Sequence, residues 1–343
     1  YTGVRHVWAA PWFVGGSVRF QLMQYLDVQV VEQSLRWLQQ GEDVWLCTVL
    51  ATFGSSPRSP GALLTAEANG EHVGSLSGGC VEEDFLERLS DGEFNSKVSR
   101  LRYGEKTQTE TPNVSLPCGG ILDILIEKLL PDASTIDHMQ GLLAALKGHK
   151  FLIRQVDVTN GKKYLKIDDE ATGPCIAITE NKVCIRVGPA AKLIIAGMSP
   201  VSAACANFAV TLGFEVIICD PRANAFDHLN IAGVVTHNIL PSLFIESTGD
   251  CHSGTAIVAL THDPRIDDLA MMDAVKTNAF YIGVMGSQRT SRARAERLHK
   301  SGGLSEEQIA CIHMPIGLAL GSKTPSEIAL AVIADVVRVL RGK

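Results

Sequence analysis

Lys192-Leu193-Ile194-Ile195-Ala196-Gly197-Met198-Ser199-Pro200 opens the stretch that decides the fold, and that stretch closes at Asp220. Lys192 to Ala196 is a compact apolar run of strand length. Gly197 to Pro200 turns the chain, Val201 to Leu212 has helical texture, and Gly213 stops the helix. Phe214 to Cys219 is the next strand, with Asp220 at its end. A strand, a glycine turn, a helix, a strand and a terminal acid roughly 20 residues on form the first unit of a Rossmann fold. The dinucleotide fingerprint is incomplete. A full one reads G-x-G-x-x-G, but Ser199 stands at the second glycine and Pro200 follows it, so a side chain obstructs the approach of a pyrophosphate. In such a unit Gly197 makes the turn, Asp220 sits near a ribose and Arg222 reaches a phosphate. Equally, Pro221 simply turns the chain and both charged residues lie on the surface.

Downstream the α/β texture continues. Strands are predicted at Ala256–Leu260 and Ala279–Val284, and helices at Asp267–Lys276 and Arg289–His299. Thr324-Pro325-Ser326-Glu327 is a capping box with proline at the first helical position. It opens a terminal helix from Pro325 to Leu340 whose apolar face is Ile328, Val332, Val336 and Leu340. That face either pairs subunits or packs on its own domain.

Upstream, Met23 to Gly41 reads as a helix with Val28, Val31, Leu35 and Leu38 on one side. Residues 1–22 lack a clear period and the features of a signal peptide, and they are expected to be an extension outside the fold. Val44 to Leu50 is a buried strand that leads into Gly54-Ser55-Ser56-Pro57-Arg58-Ser59-Pro60-Gly61. That loop offers Ser55, Ser56 and Arg58 to a phosphate, or is only a polar turn. Ala62–Glu67 and Asn69-Gly70 read as a strand and a hairpin turn.

The return strand delivers Gly74-Ser75-Leu76-Ser77-Gly78-Gly79-Cys80-Val81-Glu82-Glu83-Asp84. Gly78 and Gly79 free the backbone for positive φ and let a ligand come close. Cys80 stands where a loop enters a helix, a setting that favours the thiolate, and Glu82 lies in the first turn. The bland alternative is a tight turn with a small buried cysteine. A second cluster, Pro117-Cys118-Gly119-Gly120, precedes the apolar run Ile121 to Ile126. Two such loops can face each other across one site.

The 343 residues fit two domains, 23–188 and 189–343, the first of mixed α/β type and the second a Rossmann-like doubly wound parallel sheet. A net charge of −6 argues against nucleic acid, and no apolar run nears the roughly 20 residues that span a bilayer. The nine cysteines are scattered without a C-x-x-C pair, which points to a cytoplasmic protein with reduced thiols.

In their order these motifs resemble the XdhC/CoxI family, the xanthine dehydrogenase accessory proteins. The first half carries G-S-S-P-R-S-P-G, G-S-L-S-G-G-C-V-E and P-C-G-G. The second half carries C-D-P-R (Cys219–Arg222), A-L-T-H-D-P-R (Ala259–Arg265), Y-I-G-V-M-G-S-Q-R (Tyr281–Arg289) and T-P-S-E-I-A (Thr324–Ala329). Two segments depart from the pattern. The family's Rossmann turn usually reads G-x-G-H, where this chain has Gly197 to Pro200. Its terminal G-L-D-I-G segment is here Gly317-Leu318-Ala319-Leu320-Gly321, without the acid.

The resemblance implies a carrier of the molybdenum cofactor, as molybdopterin or its cytosine dinucleotide. Such a carrier holds the cofactor while a cysteine desulfurase supplies sulfur and then passes it to a molybdenum hydroxylase such as xanthine dehydrogenase. It implies a homodimeric maturation factor with little turnover of its own. Molybdenum is thiophilic, so Cys80 and Cys118 are the expected metal contacts. Ser55, Ser56, Arg58 and the N–H groups of Gly78, Gly79, Gly119 and Gly120 match the phosphate. Two other classes stay open: an NAD(P)-dependent oxidoreductase using the Rossmann half with His252 or His262, and an adaptor that binds the client without carrying the cofactor.

Overall fold

The structure, a computed structural model, describes residues 23–53, 58–104, 120–148, 150–169, 174–247 and 251–342, and of Cys80 only the backbone. Ser55, Ser56, Cys118 and Gly119 lie outside the described residues. The chain divides into two compact units at Pro189/Ala190.

The first unit runs α1 (Tyr25–Gln40), β1 (Val44–Phe53), β2 (Leu63–Ala66), β3 (His72–Gly74), α2 (Cys80–Ser90), β4 (Val98–Tyr103), β5 (Ile121–Leu129) and α3 (Ala133–Leu146). It continues through β6 (Leu152–Asp157), β7 (Lys163–Ile167), β8 (Ile176–Ile178) and β9 (Lys182–Val187). The first five strands form one antiparallel sheet in the order β3-β2-β1-β5-β4. Val44 to Leu50 is buried without a break because β1 is central and covered on both faces. Trp45, Cys47 and Val49 pack with Phe85 and Leu89 of α2. Their neighbours alternate to the other face. There Ser34 of α1 donates to Thr65 of β2 at 2.8 Å. The helical spacing expected from Val28 is observed: Val28, Val31, Leu35 and Leu38 are all buried, and Gly41 ends α1 at φ 92°.

The second sheet, β7-β6-β9-β8, is antiparallel and completes this unit. Arg154 of β6 makes a bidentate pair with Glu127 of β5, both bonds 2.8 Å and both side chains buried. Its Nε donates to His138 Nε2 on α3 at 3.0 Å.

The second unit runs β10 (Lys192–Ala196), α4 (Pro200–Thr211), β11 (Glu215–Cys219), β12 (Val234–His237), α5 (Pro241–Ser247), β13 (Thr255–Ala259) and α6 (Pro264–Ala274). It ends with β14 (Tyr281–Val284), α7 (Gln288–Lys300), α8 (Glu306–Ala310), β15 (Ile312–His313) and α9 (Pro325–Leu340). Its six strands are all parallel, in the order β12-β11-β10-β13-β14-β15. This is the doubly wound arrangement expected from Lys192–Asp220, with the order reversing between β10 and β13. The capping box at Thr324 forms as expected: Glu327 N–H donates to Thr324 Oγ1 at 3.3 Å and Thr324 N–H to Glu327 Oε2 at 2.9 Å. The apolar stripe of α9 turns into its own unit, where α9 packs on α4 and Val332 and Val336 are fully buried.

Candidate functional site

Strand direction gathers the glycine loops of the first unit. β1 ends at Phe53 opposite Ile121, the first residue of β5, and β4 ends at Tyr103 opposite Leu122. β3 ends at Gly74 opposite Leu64. The segment after Phe53, the Gly74–Cys80 loop and the connection from Tyr103 to Ile121 therefore all leave one end of the five-stranded sheet. The last of these is pinched at its base. Gly104 has φ 93°, and a Cβ there would lie 2.0 Å from the Gly120 carbonyl oxygen. The Gly120 carbonyl therefore packs closely against Gly104.

Glu82 organises the loop that ends at Cys80. Its Oε1 accepts from Ser75 Oγ at 2.8 Å and from the N–H groups of Leu76, Ser77 and Gly78 at 2.7, 2.9 and 3.1 Å. Its Oε2 accepts from Ser77 Oγ and Gly79 N–H, both at 2.9 Å. Burial opposes the charge, yet the converging donors hold the carboxyl well below the usual carboxylate range. The N–H groups of Gly78 and Gly79, expected to meet a ligand phosphate, donate to this internal carboxylate. Glu82 itself shapes the loop. Gly78 and Gly79 are exposed, and among the described residues no atom lies within 4 Å of a Cβ built on Gly79. Gly79 has φ 146° and Gly78 φ 94°, so the loop needs glycine at both positions. α2 begins at Cys80, the helix entry foreseen from the sequence.

Arg58 also points elsewhere than expected. Its Nη2 pairs with Asp27 Oδ1 at 3.2 Å, Nη1 donates to Gln24 Oε1, and Nε donates to the Ser75 carbonyl at 3.1 Å. The guanidinium clasps loops to α1 instead of standing toward solvent. Sequence reasoning missed Asp27, because an acid in the first turn of a helix looks like an ordinary favourable charge. It also missed Tyr103, whose hydroxyl donates to Asp84 at 2.8 Å and ties β4 to α2.

In the second unit, the ends of β10 and β13 flank the switch point, where Rossmann folds take their ligands. Ser199 bridges it: its Oγ donates to the Leu260 carbonyl at 2.8 Å and caps α4 by accepting from Ser202 N–H at 3.1 Å. A Cβ on Gly197 would lie 2.1 Å from Thr261 Cγ2, so Gly197 is needed for close packing against the neighbouring loop. Asp220 is fully buried. It accepts from Met198 N–H at 2.7 Å, Arg222 N–H at 2.9 Å, and Arg222 Nε and Nη2 at 2.9 and 2.7 Å. Arg222 also donates to the Met198 carbonyl at 2.7 Å. Asp220 and Arg222 thus pair with each other and hold the turn, with Asp220 buried and the Arg222 side chain 55% exposed. His252 Nδ1 accepts from Gly254 N–H at 3.1 Å. Among the described residues no three His, Cys, Asp or Glu side chains gather as a metal site. No described helix is long and apolar enough to cross a membrane.

The class defined by these features is a two-unit α/β protein: an antiparallel sheet with the bases of its glycine loops at one end, followed in the chain by a Rossmann unit whose buried acid closes on the glycine turn. Residues 37–104 match the model of the XdhC and CoxI family, and residues 193–336 match the XdhC Rossmann domain. The chain belongs to the XdhC and CoxI family. It is 26% identical over 313 residues to the molybdenum cofactor insertion chaperone PaoD of Escherichia coli, covering 88% of this chain and 85% of that protein. It is 23% identical over 322 residues to a probable xanthine dehydrogenase subunit of Bacillus subtilis, covering 88% and 94%. A crystal structure described as a xanthine dehydrogenase from Bacillus halodurans shares the fold, with a TM-score of 0.66 at 20% identity over 92% of this chain and 96% of that one.

Proposed function

We propose that the protein binds the molybdenum cofactor as cargo and inserts it into a molybdenum hydroxylase of the xanthine dehydrogenase type. The observation that carries this is the gathering of three loop bases at one end of the five-stranded sheet, with the backbone at Gly79 open to approach. The printed name of the Escherichia coli relative supports the cargo, and that of the Bacillus subtilis relative supports the client.

In this function Cys80 and Cys118 supply soft thiolates to the thiophilic metal, and Ser55, Ser56 and Gly119 supply donors to the pterin phosphate. Glu82, Gly78, Gly79 and Gly120 shape the loops. A cysteine desulfurase delivers the terminal sulfur while the cofactor is held, and the protein works as a homodimer. The buried Asp220, taken up by Arg222 and the Met198 N–H, favours the monophosphate form over the cytosine dinucleotide, and it weighs against NAD(P) oxidoreductase chemistry.

The test is pterin and molybdenum content after anaerobic isolation from cells with an active cofactor pathway, for wild type, Cys80→Ala and Cys118→Ala. Stoichiometric pterin that drops in either variant is expected. Pterin-free protein carrying NAD(P) would overturn the proposal, and client binding without any pterin would favour the adaptor.

A further inference from the structure

Asp27 is a carboxylate at 2% exposure that no step above uses. Its Oδ1 accepts from Leu63 N–H at 2.9 Å and from Arg58 Nη2 at 3.2 Å, and its Oδ2 accepts from Gln24 N–H at 3.0 Å. Leu63 is the first residue of β2, and Gln24 is the N-cap of α1. Arg58 lies between β1 and β2, and its Nε reaches the Ser75 carbonyl, where the loop that ends at Cys80 begins. One buried acid therefore joins the entry to α1, the start of β2 and, through Arg58, both glycine loops. A buried charge is tolerated where its partner is fixed, so acid and guanidinium hold each other in place.

We propose that Asp27 is a positioning residue for the cofactor site: through Arg58 it sets the spacing between residues 58–62, which lead into β2, and the Gly-Gly-Cys loop. This rests on that end of the sheet being the cofactor site. A guanidinium that instead contacts the cofactor phosphate would behave oppositely. Asp27→Asn would then release Arg58 toward the ligand and leave binding unchanged or tighter, and Arg58→Lys, which keeps the charge, would retain it.

The experiment compares wild type, Asp27→Asn, Arg58→Lys and Asp27→Asn/Arg58→Ala, isolated from cells with an active cofactor pathway. Leu142→Ala serves as a destabilised control, because Leu142 is buried on α3 and makes none of the hydrogen bonds that join Asp27, Arg58 and Ser75. Two quantities are read: amide hydrogen exchange of Leu76 to Gly79, and bound pterin per protein with its rate of release. The proposal expects faster exchange in the loop with α2 still protected. It expects pterin retention to fall about tenfold or more in each variant, as for other residues that orient a ligand shell. The double variant should be no worse than Asp27→Asn, and Leu142→Ala should keep its pterin at a comparable loss of melting temperature. Unchanged exchange, retained pterin in Asp27→Asn, or equal loss in Leu142→Ala each overturns it. Should Asp27→Asn fail to fold, Arg58→Lys decides, because lysine pairs with Asp27 but cannot also hold Ser75. Pterin-free wild type with faster exchange in Asp27→Asn would overturn the proposed function and the positioning role with it, while leaving the clasp intact.

Discussion

Gly79 and Glu82 are bonded in both directions: Gly79 N–H donates to Glu82 Oε2 at 2.9 Å, and Glu82 N–H donates to the Gly79 carbonyl at 3.1 Å. The glutamate reaching back is half of a capping box, extended here over the whole loop. Glu82→Ala strips four backbone N–H groups of their acceptor and is expected to cost about 2–4 kcal/mol, since bonds to a charged acceptor are worth more than neutral ones. Glu82→Gln keeps one acceptor oxygen but turns an amide NH2 against the remaining donors, so it should lie between. Urea unfolding of the three proteins checks the order.

Two glycines of the same loop should fail for different reasons. At Gly79 a methyl group meets nothing within 4 Å among the described residues, but φ is 146°, so Gly79→Ala should cost about 1–3 kcal/mol through backbone strain. At Gly74 the methyl would lie 2.4 Å from the Leu63 carbonyl oxygen and 2.7 Å from Val30. Gly74→Ala should therefore cost more and disturb the β2–β3 pairing. Melting temperatures and exchange of the Ser75 N–H, which donates to the Leu63 carbonyl, separate the two.

The Rossmann unit makes a sharp contrast between a fold and its usual ligand. Because Asp220 is buried and Arg222 is not, Asp220→Ala should cost about 3 kcal/mol and Arg222→Ala only about 1 kcal/mol. Titration with NAD+ or NADPH should show no saturation up to about 1 mM, the range of very weak binding. Saturable binding that disappears in Asp220→Ala would overturn this expectation.

His138 should give the first unit a pH-dependent stability. Burial, then the charges of Arg154 and Lys163, pull its pKa from 6.5 down to about 3, and its Nε2 must stay unprotonated to accept from Arg154. Between these values the unfolded chain binds the extra proton, so stability is complete above pH 6.5 and falls as pH drops toward 3. His138→Gln retains an acceptor without a titration and should flatten that limb in denaturant midpoints measured across the range.

Much of the fold was legible because its signals are local. The run from Lys192 to Asp220 shows its strand, turn and helix through apolar period and glycine placement. Thr324 and Glu327, three residues apart, close their box wherever the helix lies. The helix beginning at Cys80 could be seen from its glycines and acids. The function of those glycines could not: an N–H group facing a ligand and one facing Glu82 have the same sequence.

The family, the Rossmann order of the second unit and the helix entry at Cys80 were already set by the sequence, since these depend on composition and spacing within a few residues. Tertiary structure alone decided that the bases of the loops share one end of a sheet, that Arg58 turns to Asp27 across 31 residues, and that Asp220 closes on Met198 across 22. The physical reason is that a polar group takes whichever partner the strand register brings within about 3 Å, and burial makes that choice binding.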